Sequence, residues 1–172
     1  IILAWYNITV IGIMSIRVTW TGAILERFGT MESSIPYWGY TGLTNYYWTW
    51  YYVEKGVLNW KYSGLTNYYG TWYYVYKGEL NWGYSGLIYD KGIWQFVLGG
   101  RLNKSYTGLV KHAGDWYYVN QGQVDWTYTG PVEYYGTTYY IQKGYLNWTY
   151  SASIELNGVT YQVKHGVVKK AL

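Results

Sequence analysis

A fixed period of 22 residues runs through most of this chain and leaves few architectures open. A Tyr-[Ser/Thr]-Gly/Ala opening occurs at Tyr40 and returns at Tyr62, Tyr84, Tyr106, Tyr128 and Tyr150, with no insertion or deletion between copies. Self-similarity at one short period marks an array in which each unit is one supersecondary element and neighbours bury each other's apolar faces.

The unit from Tyr106 to Thr127, YTGLVKHAGDWYYVNQGQVDWT, reads as a β-hairpin. Trp116-Tyr117-Tyr118-Val119 is aromatic and β-branched, Asn120-Gln121-Gly122 has turn chemistry, and Gln123 to Tyr128 alternates again. In a three-residue hairpin loop the last position needs positive φ, which glycine adopts without a Cβ clash, and Gly56, Gly78, Gly100, Gly122, Gly144 and Gly166 all stand there. If Val119 and Gln123 close that loop, Tyr118 faces Val124, Tyr117 faces Asp125 and Trp116 faces Trp126. The expected fold is therefore an all-β solenoid of two-stranded β-hairpins with a 22-residue repeat, elongated, each hairpin touching its sequence neighbours.

Composition fits that reading. Aromatic residues make up 23% of the 172 and charged residues 13%, because large flat side chains must cover each junction that a small hairpin cannot bury alone. The segments expected are 1–39, a degenerate N-terminal β segment with a partial repeat, 40–149, five clear repeats, and 150–172, a capping repeat. Within the first, Trp5-Tyr6, Gly12 and Trp20-Thr21-Gly22 suggest a worn hairpin, Ile24 to Ser34 a loop or helical turn, and Ile35 to Tyr40 the end of a degenerate unit. The last repeat has Thr160 and Lys170 at its two Trp positions, as expected where an outer face meets water. The apolar start is shorter than a membrane span and has no basic n-region, so no transmembrane segment is expected, and the missing start Met suggests a mature or partial chain.

There is no cysteine, hence no disulfide or thiolate metal site. The formal charge is +4 with scattered basic residues, which argues against a nucleic-acid partner. Acidic residues such as Asp90, Asp115, Asp125 and Glu133 occupy different repeat positions, and His112 and His165 have no repeated carboxylate or nucleophile beside them. Neither a carboxylate pair nor a triad can be assembled, so no enzyme, no metal site and no cofactor are expected.

The pattern Gly-x-Trp-Tyr-Tyr-Val-x-x-Gly followed by Tyr-Thr-Gly resembles the cell-wall-binding repeats of choline-binding proteins, and more loosely glucan-binding and clostridial toxin repeats, from Tyr40 to about Gly166. The resemblance implies a non-catalytic module on bacterial surface or secreted proteins, located outside the cell and holding cell-wall polymer or extracellular polysaccharide. It carries over to Trp50, Trp72, Trp94 and Trp116, with Tyr52, Tyr74, Phe96, Tyr118 and Tyr140. In the family the residue after Thr-Gly is typically a Trp that helps box a quaternary ammonium; here it is Leu43, Leu65, Leu87, Leu109 or Pro131, so only part of that box carries over.

Two surfaces compete as the site. One carries Trp50, Trp60, Trp72, Trp82, Trp94, Trp116, Trp126 and Trp148 together with Leu58, Leu80, Leu102, Val124 and Leu146, and reads either as ligand face or as inter-repeat core. The other is an outward ladder pairing Tyr51 with Asn59, Tyr73 with Asn81, Tyr117 with Asp125 and Tyr139 with Asn147, aromatic platforms beside polar groups that can bond hydroxyls. The repeat from Tyr84 departs from both, with Gln95 in the Tyr column and Lys104 at a Trp position. A different class of function also stands: an array with an unpaired end and an apolar β-prone start can associate head to tail into an extracellular filament.

Overall fold

The turns explain the strands. The computed structural model describes residues 6–11, 15–20, 39–46, 48–156 and 158–170, and among these there is no helix. In the Tyr106 repeat, strand Gly108–His112 runs into strand Asp115–Asn120, which runs into the short strand Gln123–Val124. The first connection is Ala113-Gly114, with φ of +50° and +97°, and the second is Gln121-Gly122, with φ of +48° and +77°. Positive φ at both central residues of a two-residue loop is the type I′ arrangement, whose twist matches that of the strands it joins. The repeats from Tyr40, Tyr62, Tyr84, Tyr128 and Tyr150 have the same three-strand plan. The protein is an all-β solenoid of antiparallel hairpins repeating every 22 residues.

The expected register needs correction. The main hairpin is formed upstream of the Trp strand, with Leu109 opposite Tyr118, Val110 opposite Tyr117 and Lys111 opposite Trp116. Downstream, Val119 faces Val124 and Asn120 faces Gln123, and the ladder stops there. Because the second loop has two residues instead of three, every expected cross-strand pair slips by one. Tyr117 therefore does not face Asp125, nor Trp116 Trp126; the same register in the Tyr40 and Tyr62 repeats removes the strand pairs Tyr51 with Asn59 and Tyr73 with Asn81, and in the Tyr128 repeat Tyr139 with Asn147.

The Tyr and the Ser/Thr of the signature each make a defining bond, and the Gly leaves room for the ring. The Tyr106 hydroxyl donates to the Leu109 carbonyl at 2.8 Å, folding its ring over Gly108, where a Cβ would lie 3.1 Å from that oxygen. Thr107 Oγ1 accepts the N–H of Gln121, and the Tyr106 carbonyl accepts the N–H of Gly122 at 2.9 Å, so the signature caps the second turn of its own repeat. The next repeat docks by continuing that ladder: the Tyr118 N–H donates to the Gly144 carbonyl at 2.8 Å, and Tyr117 is register partner to Tyr145. Tyr118 also stacks on the next opening tyrosine, Tyr128, with ring centroids 4.0 Å apart.

The valine column is the axis of the core. Val53, Val75, Val97 and Val119 are fully buried, as is Ile141 at the same repeat position, with Leu43, Leu65, Leu87 and Leu109 beside them. Leu58, Leu80, Val124 and Leu146 are buried too, but Trp60, Trp82, Trp126 and Trp148, near them in sequence, are 44–49% exposed. On that surface the buried members are thus these aliphatics, while Leu102 is partly buried and these four tryptophans stand partly exposed.

The chain divides into two compact units, Ile1–Gly83 and Tyr84–Leu172. In the first, Tyr6–Ile11 and Ser15–Trp20 form an antiparallel hairpin, consistent with the strand pair read in that segment, and Thr9 pairs with Val57. The Tyr40 and Tyr62 repeats of this unit join through Tyr51 and Glu79. In the second unit successive repeats join through Gln95 and Gln123, Tyr117 and Tyr145, and Tyr139 and Val167. The readings for Ile24–Ser34 and for Ile35–Trp38 concern residues outside those described.

Candidate functional site

Two tryptophans and two ring-bearing residues meet where one repeat lies on the next. In the second unit, Trp94 from one repeat lies 5.0 Å from His112 of the following repeat, at an interplanar angle of 65°. His112 is 6.5 Å from Tyr117, and Tyr117 is 5.9 Å from Trp126 at 79°. With Leu87 and Val124 as the floor, these rings line an open pocket of about 90 Å³.

The arrangement recurs with the period. Trp116 lies 5.0 Å from Tyr134, and Tyr139 lies 5.8 Å from Trp148; Trp116, Tyr134 and Tyr139 pack on Leu109, Ile141 and Leu146. In the first unit Trp50 lies 4.9 Å from Tyr68 and Tyr73 lies 5.6 Å from Trp82, with Trp50, Tyr68 and Tyr73 packed on Leu43, Tyr52, Val75 and Leu80. The Tyr40 repeat contributes a Tyr51–Trp60 pair at 5.8 Å. At the equivalent positions the Tyr84 repeat has Asp90, Gln95 and Lys104.

The two surfaces read from sequence thus converge. The tyrosine ladder and the tryptophans stand together, the first Trp of each box coming from one repeat and the Tyr and second Trp from the next. The polar partners go elsewhere. Asn59 Oδ1 accepts the Lys61 N–H while its Nδ2 donates to Glu54, and Asp125 and Asn147 each accept from the backbone N–H and hydroxyl of the threonine two residues on. These are Asx turns that close the repeat. The Thr127 bonds hold the Asp125 carboxyl below the usual carboxylate range.

The rings that wall the Tyr-bearing boxes carry no formal charge. Burial pushes the Tyr68 phenol up, reinforced by Tyr69 and Tyr73, and does the same to Tyr134 beside Tyr135, so both walls are neutral phenols at neutral pH. Aromatic rings at steep angles over an aliphatic floor offer electron-rich faces to a compact cation from several sides, each contact worth roughly 0.5–2 kcal/mol depending on desolvation. A flat sugar ring needs one broad parallel face instead. The pocket is also smaller than the roughly 300–1,000 Å³ of sites for drug-sized ligands, which suits a head group.

The choline-binding repeat family matches residues 39–59, 61–80, 83–103, 105–125 and 127–147, in register with the structural repeat. The chain belongs to the choline-binding repeat family. No curated protein matches it over its sequence. In this choline-binding repeat chain the residues after the signature glycine, such as Leu87 and Leu109, are buried aliphatics, and Trp126 of the Asp-Trp step lines the pocket, with Trp82 and Trp148 at the same repeat position. The box members missed from sequence are Tyr68, His112 and Tyr134. Their signal was available, since they share one repeat position on a strand that the misplaced hairpin left unassigned. Among the described residues no three or more His, Asp or Glu side chains are grouped to hold a metal, and no helix is long and apolar enough to cross a membrane.

Proposed function

We propose that this chain is a non-catalytic, extracellular module that holds choline-bearing cell-wall polymer through its aromatic boxes. The observation that carries the reading is the steep-angled Trp-Tyr-Trp enclosure over an aliphatic floor, built afresh at successive repeats. Cation–π contacts of this kind are individually weak. Several on one chain meeting a polymer with repeated quaternary ammonium groups give avidity, because every contact after the first is intramolecular.

Retention on insoluble wall preparations tests the proposal. Trp126→Ala, at a half-exposed site, is expected to stay folded and lose several-fold in retention; Tyr117→Ala, whose ring packs on the core, is expected to lose as much once circular dichroism shows the variant folded, while Gln95→Ala behaves as the parent and free choline elutes all three. Retention that choline does not compete for would redirect the site to the sugar backbone of the polymer. Surface labelling of intact cells should reach the native protein; an exclusively cytosolic pool would contradict the extracellular placement.

A further inference from the structure

One box differs in kind from its counterparts. Where the other two complete boxes have Tyr68 and Tyr134, the box between the Tyr84 and Tyr106 repeats has His112, edge-on to Trp94 at 5.0 Å and part of the lining of the pocket with Tyr117 and Trp126. Histidine is the side chain whose ordinary titration falls between about pH 5 and 8. As a neutral imidazole, His112 is one more aromatic wall. As an imidazolium it places a positive charge inside an enclosure that otherwise attracts cations, and it withdraws the electron-rich face it offered.

We propose that His112 makes this one box selective by proton: it accepts a quaternary ammonium when the imidazole is neutral and rejects it when protonated, whereas the tyrosine-walled boxes hold the same ligand throughout. This rests on the choline-binding reading above. The ionisable groups on the surrounding strands are Lys111 beside it, Asp115 opposite it across the turn, Tyr117 two residues further, Tyr89 and Asp90 on Gly86–Asp90, and Glu133 and Tyr134 on Gly130–Tyr134. Strand Ile93–Leu98 brings none, and Asp125 follows Gln123–Val124. Side-chain carboxylates, lysine amines and phenols as classes change charge outside that window, so a response that disappears when His112 is replaced belongs to its imidazole.

The test uses choline and its uncharged isostere, 3,3-dimethylbutan-1-ol, titrated at roughly pH 8 and pH 5 with the indole N–H signals of Trp126 and Trp148 reporting the histidine box and a tyrosine box separately. Choline affinity read at Trp126 is expected to fall about ten-fold at the lower pH while that at Trp148 stays constant, and the isostere should show no pH response at either. His112→Tyr installs the residue the other boxes have, so it keeps the fold and should remove the response; His165, at a distant turn, remains in the variant as control. An equal fall at both boxes, the same fall in His112→Tyr, or a fall for the isostere would overturn the proposal. Choline binding at Trp148 with no pH response at Trp126 would sink this inference alone, whereas no choline binding at either box at the higher pH would sink the choline reading with it.

Discussion

Gly122 and Gly114 close the two turns of one repeat with similar twist, yet they meet different surroundings. A Cβ on Gly122 would lie 2.8 Å from Lys104 Cα of the preceding repeat, whereas a Cβ on Gly114 meets nothing within 4 Å. Both have positive φ, which costs an L residue about 1–2 kcal/mol. Backbone cannot move aside as a side chain can, so Gly122→Ala adds an overpacking cost of about 1–3 kcal/mol and should destabilise by about 2–5 kcal/mol, against about 1–2 for Gly114→Ala. Urea titration separates them; equal losses would mean that twist alone requires the glycine. The sequence made the twist readable at this column, since glycine is the residue that adopts it freely. The close approach was not readable, because it depends on where the previous repeat's backbone comes to lie. The same limit hid the Asx turns of Asn59 and Asp125, whose side chains looked like ligand groups until their bonds to Lys61 and Thr127 were placed.

At the level of the hairpin, the all-β class and the 22-residue unit followed from alternation and from the recurrence of Trp-Tyr-Tyr-Val, but the register did not. Asn120-Gln121-Gly122 is compatible with a loop of two or three residues, and one residue of slip turns every side chain to the other face. The turn glycine of five of the six units, Gly70, Gly92, Gly114, Gly136 and Gly158, was the overlooked mark of the principal hairpin. The opening tyrosines staple that hairpin and predict an alkaline limit. Burial raises the phenols of Tyr40, Tyr106 and Tyr128 above the ordinary value of 10.0. The folded state then keeps these protons longer than the unfolded chain, so their contribution is intact below about pH 10 and declines as pH climbs through the raised folded values. Denaturant midpoints should be flat from neutrality to about pH 9 and fall steeply above about pH 10. Tyr106→Phe, which leaves the Leu109 carbonyl without its 2.8 Å donor, should cost about 1 kcal/mol at neutral pH and soften the alkaline slope. A slope unchanged by this substitution would place the alkaline sensitivity elsewhere.

Across the whole chain, function follows from which repeats keep their rings. The drift at Gln95 and Lys104 was visible in the sequence and the solenoid period fixed the repeat positions, but a box that draws on two repeats emerged only once the stacking register was known. The direct measurement is a choline titration followed through the indole N–H signals, because it reads the boxes one by one in the intact chain. The account predicts saturable shifts for Trp50 and Trp82, for Trp94 and Trp126, and for Trp116 and Trp148, with each pair moving along a common curve. Paired tryptophans that move along different curves, or no shift at any of them up to molar choline, would contradict it.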